Sequence, residues 1–91
     1  MQITDLQWDD ENTSHIADHS VSPEEVEQVC YGSHLSHREP GERFVIGGQS
    51  EAGRYLIVVV ERLHWNLFRA VTAYEMNDQH KRAYRRRMKP K

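Results

Sequence analysis

The sequence predicts an α+β domain: an antiparallel β-sheet of about four strands, with two helices before it and one basic helix after it. Three patterns carry that prediction. A proline-led capping box opens a helix at Ser22, an unbroken β-branched run lies between short turns at Tyr55 to Val60, and the last dozen residues repeat apolar positions at helical spacing. Helices set apart from a meander of strands define this class.

The elements follow in order. Ile3 to Trp8 alternates apolar and polar residues around Ile3, Leu6 and Trp8 and reads as a short first strand. Asp9 or Asp10 caps a helix running to about His19, with Ile16 and Ala17 as its apolar content. In the second helix Ser22 takes the orphan N–H groups, Pro23 suits the first helical position and Glu25 completes the capping box. It buries Val26, Val29 and Cys30 and stops before Gly32. Ser33 to Gly41 is polar and reads as a connection. Arg43-Phe44-Val45-Ile46 is a strand ended by Gly47-Gly48, and Glu51-Ala52-Gly53 turns the chain. Tyr55 to Val60 then suits a central strand covered on both faces. His64-Trp65-Asn66 turns again, and Leu67 to Ala73 is the next strand. Such short turns imply antiparallel neighbours, because a parallel crossover needs about a dozen residues or more. The last helix runs from about Asn77 to Met88 and ends at Pro90, with 85–91 reading as a basic tail that frays. Met76, His80, Ala83, Tyr84 and Met88 share one face, and Lys81, Arg82, Arg85, Arg86 and Lys89 the other.

Ninety-one residues make a single domain, 1–91, with a modest core. No stretch approaches the roughly 18 apolar residues of a membrane span, and the N-terminus lacks a basic-then-apolar leader pattern. The lone Cys30 excludes an internal disulfide and fits a reducing cytosol, so a cytoplasmic location is expected. No basic neighbour activates it as a nucleophile.

Charge is distributed unevenly. The first 37 residues hold eight carboxylates and no Lys or Arg, whereas from Arg38 onward twelve basic residues face six acidic ones. The formal net charge of −2 hides this split. Such an asymmetry suggests that one surface meets a polyanion. The basic helix is the natural phosphate-binding edge, with docking onto an acidic protein as the competing reading.

Arg43, Arg54, Arg62 and Arg69 are spread over the strands. Arg69 points opposite to Phe68 and Ala70, where it can brace a phosphate through paired hydrogen bonds or form a cross-strand ion pair with Glu61. His15 and His19 lie four apart, a spacing open to a metal or to a hydrogen-bonding pair, but Ile16 stands where a zincin helix has its glutamate. His19, near a helix end, is the better acid–base candidate.

Five runs of residues have a family likeness. Trp8-Asp9-Asp10-Glu11-Asn12, His15-Ile16-Ala17-Asp18-His19-Ser20-Val21-Ser22 and Pro23-Glu24-Glu25-Val26 together resemble the opening of the BrnT toxin family. Gly53-Arg54-Tyr55 leading into Leu56 to Val60, and Phe68-Arg69-Ala70-Val71-Thr72-Ala73 followed by a basic helix with Tyr84, resemble its middle and end. The resemblance implies a RelE-like fold and a ribonuclease toxin of a type II toxin–antitoxin pair, acting without metal or cofactor to stop translation. It implies RNA and a BrnA-like antitoxin as partners, in a homodimer or a toxin–antitoxin hetero-oligomer. It also implies that Arg69 contacts the scissile phosphate with Arg43 or Arg54 assisting, and that His19 and Tyr84 move protons or orient substrate. Arg54, Lys81, Arg82, Arg85 and Arg86 would hold RNA. Three positions depart from the family: Ser20 replaces a glycine, Tyr74 replaces an arginine, and the first helix is acidic rather than basic. Those departures make a diverged non-catalytic module that binds protein or nucleic acid the alternative to the ribonuclease reading.

Overall fold

A computed structural model describes residues 1–88. In chain order it holds β1 (Asp5–Gln7), α1 (Asp10–Ala17), α2 (Pro23–Tyr31), β2 (His34–Glu39), β3 (Arg43–Gln49), β4 (Tyr55–His64), β5 (Leu67–Glu75) and α3 (Asp78–Met88). The α+β class is as expected. The sheet differs from expectation, being five-stranded and mixed in the order β1-β5-β4-β3-β2, with β1 parallel to β5 and every other pair antiparallel.

Both differences have physical reasons. The stretch read as a polar connection contains β2, which pairs with β3 from His34 opposite Gly48 to Glu39 opposite Arg43. As an edge strand with mostly exposed side chains it has no buried face to impose an apolar alternation. The turn joining it to β3 uses left-handed backbone at Gly41 and Glu42 (φ 81° and 62°). The argument from short turns holds for β2 through β5. It does not reach β1, whose partner lies at the far end of the chain.

The cap signals position the two N-terminal helices. Asp9 accepts from the Asn12 N–H while Asn12 Oδ1 accepts from the Asp9 N–H, which opens α1. Ser22 and Glu25 make the same reciprocal pair at α2. α1 stops at Ala17, two residues short of the expected end, and the chain turns through Ser20 in a left-handed conformation (φ 60°). Asn12, only 1% exposed, donates from Nδ2 to Gln7 O (3.1 Å) and Ala70 O (3.0 Å), tying α1 to both β1 and β5.

Alternation along the strands sends Phe44 and Ile46, Leu56, Val58 and Val60, and Phe68, Ala70 and Ala73 to one face, where Ile16, Val26, Val29 and Cys30 complete the core. The opposite face carries Tyr55, Ile57, Val59 and Glu61 of β4. α3 crosses only one end of it, so these residues are half-buried rather than covered. Gly47 and Gly48 set the helix approaches on the two faces. A Cβ at Gly48 would lie 3.0 Å from Val29 Cγ1 on α2, and one at Gly47 would lie 3.3 Å from Met76 Cε and 3.9 Å from Tyr84 Cδ1. Residues 85–88, read as part of a fraying tail, are the last turn of α3, and Lys89 and Pro90 lie outside the described residues. No helix among the described residues is long and apolar enough to cross a membrane.

Candidate functional site

The arginines divide into two populations. Each of those before α3 lies within 4.0 Å of a carboxylate. Arg69 forks onto Asp9, with Nε 3.0 Å from Oδ2 and Nη2 3.2 Å from Oδ1, and also reaches Glu11 Oε1 at 3.2 Å. The hydrogen bonds from Arg69 hold the Asp9 carboxyl below its ordinary value, and the same bonds raise Arg69. Glu61 is the cross-strand neighbour of Arg69 by register, but it lies 4.0 Å from Arg43 instead. Arg54 Nη1 sits 2.9 Å from both oxygens of Glu25 and 2.8 Å from Ser20 O, while Nη2 reaches Glu75 at 3.2 Å. That clamp raises Arg54, first through the Glu25 bond, and joins α2 to the end of β5. Arg38 and Arg62 share Glu42.

α3 differs. Lys81, Arg82, Arg85, Arg86 and Arg87 form no ion pair with a carboxylate among the described residues. The sequence folds this way because Met76 and Tyr84 turn inward over Gly47, leaving the charged positions to solvent. Arg85 spreads over the Tyr55 ring at 4.9 Å and donates from Nε to the Tyr55 hydroxyl at 3.2 Å. Lys81 Nζ lies 5.9 Å from the same ring. Tyr84 meets Tyr55 edge-on with centroids 5.9 Å apart, and burial raises its phenol. Beside this pair opens a cleft of about 690 Å³, lined in part by Gln28, Ser33, Gln49, Tyr55, Tyr84 and Arg85.

A second, smaller cavity of about 230 Å³ lies along α1 and β5, between Glu11, Asn12, His15, Arg69 and Val71. The His15 and His19 rings are 5.8 Å apart, and His19 is 6.2 Å from Tyr74. The contacts place both His19 and Arg69 next to His15 and give Tyr84 and Arg43 other partners. His19 neighbours His15 and Tyr74, Arg69 belongs to the α1 carboxylates, Arg43 faces Glu61, and Tyr84 packs on Tyr55. Arg54, expected to hold RNA, is paired with Glu25 and Glu75, whereas Lys81, Arg82, Arg85 and Arg86 have no carboxylate partner among the described residues.

Sequence reasoning singled out His15 with His19 but missed Glu11, although the four-residue spacing of Glu11 and His15 on one helix was a usable signal. It also missed Gln28, Gln49 and Tyr55, for which no local pattern exists. Among the described residues no group of three or more His, Cys, Asp or Glu is arranged to hold a metal. Cys30 is buried, and burial first, with Glu27 second, pushes its thiol up to about 12, so it is no nucleophile near neutrality.

Compared with known proteins, the chain matches no family model and no curated protein.

Proposed function

We propose that this domain binds RNA through α3 and the adjoining Tyr55–Tyr84 cleft, as a diverged BrnT-like, RelE-like module that holds RNA without cutting it. One observation supports this reading: among the described residues the five α3 cations lack carboxylate partners, while each of the five arginines before α3 has one within 4.0 Å. A cation already neutralised within the fold has little to offer a phosphate. A free one displaces counterions and adds salt-sensitive affinity. The aromatic pair beside the helix adds a surface for stacking bases.

The test is a titration with single-stranded RNA at rising salt. Engagement of all five cations gives a slope of log K against log salt of about −3.5, and correspondingly less for fewer contacts. RNA that stays whole while bound supports the module. Absence of binding at about 50 mM salt, where phosphate contacts are strongest, overturns it.

A ribonuclease toxin with a BrnA-like antitoxin is the second reading, favoured by the cavity that sets Glu11 and His15 beside Arg69. In that chemistry a carboxylate takes the ribose 2′-hydroxyl proton, the 2′-oxygen attacks phosphorus, and an imidazolium protonates the departing 5′-oxygen. Arg69 would have to leave Asp9 and Glu11 to meet the phosphate. Growth arrest and transcript loss on induction in a bacterial host, relieved by His15→Ala and by Arg69→Ala, would replace the first reading with this one.

A further inference from the structure

The cleft beside α3 has chemistry that a general phosphate-binding surface does not need. Two glutamine amides line it, and the backbone fixes each of them. Gln28 Oε1 accepts from the Glu51 N–H at 2.9 Å, so its NH₂ group remains to donate. Gln49 Nε2 donates to Gly53 O at 3.3 Å, so its oxygen remains to accept. With its other half bonded to the backbone, each amide presents one defined end to the cleft. The cleft thus pairs an oriented donor with an oriented acceptor.

The remaining walls narrow the choice of ligand. Tyr55 and Tyr84 supply aromatic surface, and Arg85 adds a guanidinium plane over Tyr55. Among the described residues no carboxylate lines the cleft, and Arg85 is the one cation in its lining. At about 690 Å³ the space is in the range of small-molecule sites, roughly 300–1,000 Å³. A planar, largely neutral group with a donor and an acceptor on its edge, attached to one anion, fits these walls. An unpaired nucleotide has that composition: its base stacks on aromatic or guanidinium planes and shows its pairing edge, while its phosphate meets arginine. A base within a duplex has that edge occupied.

We infer that the Gln28–Gln49–Tyr55–Arg85 cleft receives one unpaired nucleobase of single-stranded RNA and gives the domain a base preference. This inference rests on the RNA-binding reading and deepens it. α3 follows the phosphates, and the cleft reads one base.

The experiment measures fluorescence anisotropy with labelled octamers of A, C and U and with an RNA duplex, at about 50 mM salt. One homopolymer binds about fivefold or more tighter than the weakest, and single strands bind tighter than duplex. Gln28→Ala and Gln49→Ala each collapse the homopolymer ratio towards one. Arg82→Ala weakens every RNA alike and keeps the ratio. Thermal melts accompany each variant, and Gln49→Ala decides the matter if loss of the Glu51 contact unfolds Gln28→Ala. Equal binding of all octamers and duplex by the unaltered protein overturns the base cleft while α3 binding stands. No binding to any RNA overturns both. Polyglutamate competing as well as RNA overturns the nucleobase in favour of an acidic peptide.

Discussion

By strand register, Arg69 lies on the face of the sheet that α3 crosses, so Arg69 and Arg85 share one side of the molecule in opposite surroundings. Arg69 is only 19% exposed and forks onto the residue that caps α1, with Glu11 as a further partner. Arg85 is exposed, leans on a tyrosine and has no carboxylate beside it among the described residues. The contrast teaches that charge counted along a chain is not charge presented to a ligand. Asp9 serves as both helix cap and counterion, so the acidic first helix uses up a cation of the last strand. α3 has a single acidic residue, Asp78 in its first turn, and its cations stay available.

The sharpest way to break this comparison is to reverse the free cations. Changing Arg82, Arg85 and Arg86 together to Glu weakens RNA binding on the order of a thousandfold in low salt, measured by anisotropy. Unchanged binding would place the polyanion surface elsewhere. Next comes Asn12→Asp, which loses the donor serving Gln7 O and Ala70 O and aims a buried carboxylate at two carbonyls. Urea unfolding should report a loss of about 3 kcal/mol, marking the α1 edge as structural. Arg85→Ala follows, weakening RNA about fivefold and flattening the salt slope by one contact.

The smallest effect belongs to Arg69→Ala, which changes RNA affinity less than about twofold and slightly lowers the melting temperature at neutral pH. The pH dependence of that loss has a definite sign. Asp9 titrates below its ordinary 3.8 in the folded state, so its pairing stabilises the fold above that value and is lost as pH falls through the depressed one. Melts of Arg69→Ala and the unaltered protein therefore converge in acid. A gap that persists there would assign the effect to packing.

What the sequence made legible follows from what is local. The α2 start was readable because Ser22, Pro23 and Glu25 act within one turn, and β3 to β5 were readable from β-branched runs and turns. The free face of α3 was readable because helical spacing alone separates Tyr84 from Arg82 and Arg86. β2 escaped notice because an edge strand needs only a backbone ladder, and the parallel pairing of β1 because nothing local announces it. The fate of Arg69 was invisible for a similar reason. Its partners Asp9 and Glu11 lie 60 and 58 positions away, and either they or Glu61 would have satisfied local rules. Gln28 and Gln49 come to line one cleft only once α2 has packed on the sheet.

The β1–β5 pairing also fixes an order of events in time. Asp5 registers with Leu67, so β1 has no partner in the sheet until β5 has been made. Asn12 waits as well, since one of its two carbonyl partners is Ala70. A chain cut short before β5 keeps its capping boxes but cannot seat β1 or anchor α1. Closing so long a loop slows folding relative to the β2–β3–β4 hairpins, which join over short turns. The β1 edge of the sheet can therefore form only after β5 is in place.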